Sequence, residues 1–164
     1  MNTEEDKQFD FWQKWLYYSS LLIAAGVLFI FILFPGLLYI PYVRFLAESL
    51  QLPYDAQEAA MNFMLFFRGP FGATLICAYL MLAWISSHAF KRKDAWARNA
   101  IAGAFSVWFI IDSLFCMYYG IWFQLYAINL LSFLQKALPL GFTWKYFKSS
   151  EFLDDKFKYY HGVK

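Results

Sequence analysis

The sequence predicts an all-α integral membrane protein: a four-helix bundle with both termini cytoplasmic and one further helix lying on the outer surface. Three observations carry that prediction. The 164 residues are 61% hydrophobic and 24% aromatic, and only 16% are charged, with a mean hydropathy of +0.41. The 14 basic and 12 acidic side chains are bunched, which leaves four long stretches almost bare of charge. Lysine and arginine also gather at one end of those stretches. A soluble domain of this length needs a mostly polar surface, and this composition does not supply one. A secreted disulfide scaffold, a nucleic-acid module and an ordinary cytosolic enzyme are excluded on the same grounds. The net charge of +2 is too small for a polyanion binder.

The first span is expected at about 15–34, where twenty residues rising 1.5 Å each reach about 30 Å, one hydrocarbon thickness. Its approach is acidic (Glu4, Glu5, Asp6, Asp10), and Phe34-Pro35-Gly36 is no small-residue cleavage site. It therefore reads as a retained span and not as a signal peptide. The outer connection, 35–60, is the only long one. Pro41 can open a short helix and Pro53 can stop it. Between them Tyr42, Phe45, Leu46 and Leu50 fall on one face, with Arg44, Glu48 and Gln51 opposite, as in a helix lying on the membrane surface. Asp55-Ala56-Gln57-Glu58 has the form of a capping box with Asp55 as N-cap, so the second helix is expected to begin outside the bilayer.

The second span is expected at about 62–87, the third at 96–119 and the fourth at 121–142, followed by a cytoplasmic tail over 143–164. Tyr119-Gly120 is the one turn signal between the third and fourth spans, which makes them a tight hairpin. The whole of 1–164 reads as a single transmembrane domain. With four spans, Lys7, Lys14, Lys91, Arg92, Lys93, Arg98 and five tail lysines share one side, while only Arg44 lies opposite. That side is cytoplasmic by the positive-inside rule. Trp12, Trp15, Trp84, Trp96 and Trp144 fall near the same boundary, where an aromatic belt belongs.

Arg68, Asp112, Asn129 and Lys136 are polar residues inside spans. A charge at the bilayer centre costs roughly 2.5–3.5 kcal/mol on insertion scales, so such groups usually find partners. The second and third helices are antiparallel about residue 90, which sets position 68 level with 112. The third and fourth are antiparallel about residue 120, which sets 112 level with 128. Arg68, Asp112 and Asn129 thus share one layer, roughly 10–14 Å below the outer boundary. An Arg68–Asp112 ion pair bridged or capped by Asn129 is the expectation. Gly69, Gly72 and Ala73 would let a neighbouring helix approach closely, and Pro70 frees the carbonyl of Phe66. The cluster is either structural glue or a ligand, proton or ion site opening beneath the outer helix. Asn129, Ser132 and Lys136 follow one side of the fourth span. They line an aqueous path, or else Lys136 snorkels to the inner headgroups while Ser132 bonds its own backbone. Lys91-Arg92-Lys93 is a site for an anionic lipid headgroup or a plain topology determinant.

No catalytic set and no metal site emerge. His88 and His161 are the only histidines, too few and too scattered for buried haem or a di-iron centre. Cys77 and Cys116 lie at different depths, which argues against a disulfide. No P-loop, GxSxG or HExxH is present. No cofactor is expected.

One resemblance adds to this reading. Arg68-Gly69-Pro70-Phe71-Gly72-Ala73-Thr74, Ala89-Phe90-Lys91-Arg92, Trp96-Ala97-Arg98 and Trp108-Phe109-Ile110-Ile111-Asp112-Ser113, followed by Gly120 and Asn129, resemble stretches of small bacterial four-helix membrane proteins that are loosely similar to the DoxX-like group. The likeness spans positions 68 to 129. It implies a four-helix bundle in the bacterial inner (plasma) membrane. Some members of the wider group serve as subunits of quinone-linked redox systems, but no motif here carries that activity over.

Three functions compete. The first is a non-catalytic subunit or accessory and binding protein, working in the lipid bilayer with a membrane protein partner or as a homo-oligomer. The second is an oligomeric carrier of small solutes or ions that uses Arg68, Asp112 and Asn129. The third is a quinone- or lipid-linked redox enzyme subunit. Nucleic acid is not an expected partner.

Overall fold

Local apolar runs and their breakers account for where each helix starts and stops. The computed structural model describes residues 3–147, so the tail residues Lys148, Lys156, Lys158, His161 and Lys164 lie outside the described residues. Helix α1 (Thr3–Val27) continues through a π turn, Leu28–Leu33. Helix α2 is Tyr39–Ser49. Helix α3 (Tyr54–Ile85) continues as a π turn, Ser86–Phe90, and α4 is Ala95–Tyr118. Helix α5 (Leu131–Thr143) is entered through a π stretch, Gln124–Leu130, and leaves through a 3₁₀ turn, Trp144–Tyr146. No strand occurs among the described residues.

Three stretches are long and apolar enough to cross a membrane: Glu4–Leu33, Tyr54–Phe90 and Ala95–Tyr118. The fourth expected stretch is helical over 122–143, but its first part is wound as π-helix, so no single α-helix of spanning length forms there. Helix α1 begins well before the expected residue 15. Lys7 pairs with Glu4 at 2.9 Å and Lys14 with Asp10 at 2.7 Å, and such one-turn pairs support a polar helix start.

The outer connection departs from expectation in two details. Asp55 is not the N-cap of α3. Pro53 occupies that place, Asp55 sits in the first turn, and no side chain caps the end. Gln57 reaches back instead, its Nε2 donating to the Leu52 carbonyl at 2.8 Å. Helix α2 forms, but besides the apolar face read for the membrane surface it buries a second side against the protein. Tyr39, Val43 and Ala47 are buried, spaced four apart on one side, while Phe45 and Leu50 are exposed. Helix α2 packs against α3, and the Tyr39 hydroxyl donates to the Met64 carbonyl at 2.7 Å.

Three turns end their helices in the same way. Gln51, Lys93 and Gly120 have positive φ, and the next amide donates back to the carbonyl five residues earlier: Leu52 to Ala47 at 3.1 Å, Asp94 to Ala89 at 3.0 Å and Ile121 to Cys116 at 2.8 Å. This is the Schellman closure. Gly120 takes the left-handed position at no steric cost, which makes the α4–α5 turn as tight as its sequence suggests.

Helices α1 and α3 pack against each other, and α5 packs against both α1 and α4. At Gly72 the π extension of α1 lies tight against α3: a Cβ there would lie 3.1 Å from Ile32 Cδ1 and 3.7 Å from Phe31 Cβ. The close neighbour that small residues admit is thus α1, whereas Gly69 faces open space. Helices α3 and α4 are consecutive yet do not run packed together. They meet through Ser86–Phe90 and at the Tyr79–Phe105 ring contact of 6.3 Å, and above that level they diverge.

One end of the bundle gathers the basic residues and the densest core. Phe9 stacks on Phe90 at 5.9 Å and meets Tyr146 at 5.6 Å and Phe147 at 6.0 Å. Gln13 Nε2 donates to the Ser86 carbonyl at 3.1 Å, and Ser86 Oγ donates to the Gln13 carbonyl at 3.2 Å. The rim of this end carries Lys93–Asp6 at 3.4 Å, Lys145–Glu5 at 3.1 Å and Arg98 lying 4.0 Å over the Trp144 ring. Trp15, Trp84, Trp96 and Trp144 are exposed around it, while Trp12 stacks on Phe142 at 4.8 Å.

Candidate functional site

The divergence of α3 from α4 leaves a cavity of about 770 Å³ between the helices. Its walls are mostly apolar: Phe31 from the α1 extension, Phe71 and Leu75 from α3, Trp108 and Phe115 from α4. Into it project Tyr42, Asp112, Gln124, Asn129, Ser132 and Gln135, with Tyr79 at the edge nearer the basic end. An apolar pocket with a few convergent polar groups is the usual form of a small-molecule site.

The π winding of 124–130 helps build the polar wall. A π turn closes over five residues, not four, so Gln124 and Asn129 reach the same cavity. Gln124 Nε2 donates to Asp112 Oδ2 at 3.3 Å, and its Oε1 accepts a short hydrogen bond from the Tyr42 hydroxyl of α2. Burial pushes the Tyr42 phenol well above its ordinary range, with the Asp112 carboxylate adding to the effect, so Tyr42 stays a donor at ordinary pH.

Asn129 is fully buried. Its Nδ2 donates to Cys116 Sγ at 3.6 Å, but its Oδ1 has no hydrogen-bond partner among the described residues. Gln135 repeats the pattern: its Nε2 donates to Ser19 Oγ, and its Oε1 is unpartnered. Two buried carbonyl acceptors are thus left open on residues that line one cavity. An unmade hydrogen bond of this kind costs about 1–3 kcal/mol.

Lys136 is fully buried. Its Nζ donates to the Tyr79 hydroxyl at 2.7 Å and to Ser132 Oγ and the Ser132 carbonyl, each at 2.8 Å. It also lies 4.6 Å from the Tyr79 ring centroid and 4.5 Å from that of Phe105. The snorkelling expected of Lys136 is overturned. Its stem is too deep in the packed bundle to reach a headgroup, and oxygen acceptors and ring faces hold the amine in place. Ser132 Oγ engages Lys136 and Tyr79, and a bond to its own backbone is not among its described contacts.

The Arg68–Asp112–Asn129 cluster does not assemble. No ion pair joins Arg68 to Asp112 among the described residues. Asp112 is engaged by Gln124, and Asn129 by Cys116. Arg68 is not among the residues that line the cavity; its charge acts on Tyr39 of α2. The three residues share a depth, but α3 and α4 are apart at that level and Arg68 points to a different side. The carbonyl that Pro70 itself contributes is taken by Thr74 Oγ1 at 2.9 Å.

Of the basic run, Arg92 is bound to Asp94, with its Nε at 3.2 Å and an Nη at 2.9 Å from Oδ2, and Lys93 reaches Asp6 and the Phe9 ring. These two cations tie the connection to nearby acidic residues, and the Arg92 side chain stays exposed. Lys91 is exposed. Cys77 and Cys116 are free thiols.

Sequence reasoning placed Asp112, Asn129, Ser132 and Lys136 on the right elements but missed Tyr42, Tyr79, Gln124 and Gln135. Gln135 directly precedes Lys136 and was open to discovery as a further polar residue inside the fourth span. Gln124 was open to discovery on the same ground, but a regular 3.6-residue period gave no sign that it shares a wall with Asn129. Compared with known protein families, curated proteins and solved structures, the chain matches none.

Proposed function

We propose that this chain is a four-span protein of the bacterial inner membrane, with its basic end cytoplasmic, that acts as a non-catalytic binding subunit. It holds an amphipathic small molecule in the cavity between α1, α3, α4 and α5. The observation that carries this reading is the pair of buried, unpartnered acceptors, Asn129 Oδ1 and Gln135 Oε1, on a mostly apolar cavity of about 770 Å³. Pockets for small molecules run about 300–1,000 Å³, so this one suits a single lipid-like ligand. The large exposed side chains, among them Leu22, Phe66, Trp84 and Tyr126, suit contact with acyl chains. The basic residues at the packed end agree with the positive-inside rule. The carrier reading loses support because its Arg68 stands outside the cavity.

The test is native mass spectrometry of the full chain in lipid nanodiscs, with extraction and identification of bound small molecules. Ala127 lines the cavity, and Ala127→Phe fills it. A stoichiometric amphiphile on the wild type, lost from Ala127→Phe while the thermal transition is kept, is the expected result. An empty wild-type cavity across several lipid compositions overturns the reading.

A further inference from the structure

We infer that the end of the cavity where Tyr79 and Ser132 line the wall, with Lys136 held behind them by hydrogen bonds to both, is a headgroup subsite for an amphiphile ending in a carboxylate. This inference rests on the binding reading above and names the headgroup class; a carboxylate only accepts, so the open acceptors of Asn129 and Gln135 are left to donors elsewhere on the occupant or to water. It begins from hydrogen-bond bookkeeping. A lysine ammonium has three protons and no acceptor. Lys136 Nζ has three oxygen partners: the Tyr79 hydroxyl, Ser132 Oγ and the Ser132 carbonyl. Both hydroxyls therefore receive from the ammonium and must send their own protons elsewhere. One of the two lies between Tyr79 Oη and Ser132 Oγ, which are 3.0 Å apart. The other has no further acceptor among the described contacts of either residue. Tyr79 and Ser132 both line the cavity, so the spare O–H is available to an occupant.

Charge selects the kind of occupant. Lys136 is fully buried and makes no ion pair with any carboxylate among the described residues. Asp112 belongs to the same cavity, but it lies level with residue 128, eight residues or about 12 Å along the helix axis from Lys136, and it is bound to Gln124. A buried cation without a counter-charge is costly, and an anion brought beside it is correspondingly favoured. A carboxylate accepting the spare O–H supplies that counter-charge. The Asp112 carboxylate at the opposite end repels it, so the head points to Lys136. The tail then runs among Phe31, Phe71 and Phe115. A protonated amine head would meet the reverse field and is disfavoured at this end.

The probe is palmitate labelled with ¹³C at its carboxyl carbon, offered to the full chain in nanodiscs, with hexadecanol and hexadecylamine as tail-matched controls. Retention is read by native mass spectrometry and the headgroup environment by the carboxyl ¹³C shift. Palmitate is expected to bind about tenfold or more tighter than hexadecylamine, and Lys136→Met is expected to remove that preference while hexadecanol binding is kept. Methionine fills a similar volume without the charge. If Lys136→Met does not fold, Ser132→Ala with Tyr79→Phe replaces it, with the same expected loss of preference and of the carboxyl shift. Equal binding of all three amphiphiles, or palmitate binding unchanged in these variants, overturns the subsite and leaves the binding reading standing. Binding of none of the three overturns both.

Discussion

The two ends of the bundle treat polar groups in opposite ways. At the basic end Gln13 and Ser86 exchange two hydrogen bonds across α1 and the α3 extension, and Thr143 returns its hydroxyl to the Pro139 carbonyl at 2.6 Å. Around them Phe9, Leu16, Phe90 and Phe147 form a closed core. Toward the other end, buried Asn129 and half-buried Gln135 each leave a buried acceptor atom open, and Ser113 Oγ is likewise without a partner. Burial is similar in the two regions, and satisfaction is not. A region that exists to hold the fold together leaves no such atoms, since each unmade bond costs free energy. A region shaped around an occupant leaves them for the occupant.

Mutations can break or sharpen this contrast. The largest expected effect is at the packed end. Phe90→Ala opens a hole in a fully buried site and is expected to cost about 3–5 kcal/mol, followed by thermal unfolding in detergent. The matching cut at the cavity wall, Phe115→Ala, removes a side chain that is already exposed and is expected to cost far less. Equal losses would mean that the cavity half is packed as a core. Next comes a pair of polar truncations. Gln13→Ala takes the side-chain donor from the buried Ser86 carbonyl, while Ser86 Oγ keeps the main-chain carbonyl of residue 13, and is expected to cost about 1–3 kcal/mol, whereas Asn129→Leu removes an unsatisfied acceptor and is expected to be neutral or mildly stabilising in ligand-free protein. A large loss from Asn129→Leu in the same unfolding assay would show that its open acceptor is structural. The smallest effect is a coupling. Arg68→Gln and Asp112→Asn are expected to be additive within about 0.5 kcal/mol, because the residues share no contact. A double-mutant cycle with a coupling above about 1 kcal/mol would restore the ion pair.

That last cycle shows how a site can be partly legible in a sequence. Depth along a helix is a one-dimensional quantity, and counting residues placed Asp112 and Asn129 at nearby levels; both do line one cavity. Direction around the helix is another matter. Arg68 has the right depth and faces elsewhere, because α3 packs its glycine face on α1 at Gly72. That Gln124 shares a wall with Asn129 was hidden for a related reason: the π winding of 124–130 shifts its angular position relative to Asn129, and nothing in the local composition announces a π turn. Lys136 read as a snorkelling side chain on sequence alone because long cations near the end of a span usually do so. Only the arrival of Tyr79 and Phe105 from two other helices gives its amine a reason to stay inside.

By itself the sequence determined the all-helical class, the three long apolar helices, the helical fourth stretch, the Gly120 turn and the gathering of basic residues at one end. These follow from local quantities: run length, hydropathy, breakers and the placement of charge. Tertiary structure alone decided which face of α2 is buried, that α3 and α4 diverge, that a cavity opens between them, and which polar groups share it. Those outcomes depend on the rotation of each helix about its own axis, which is set by packing against neighbours distant in the chain and is not encoded in the period of any one segment.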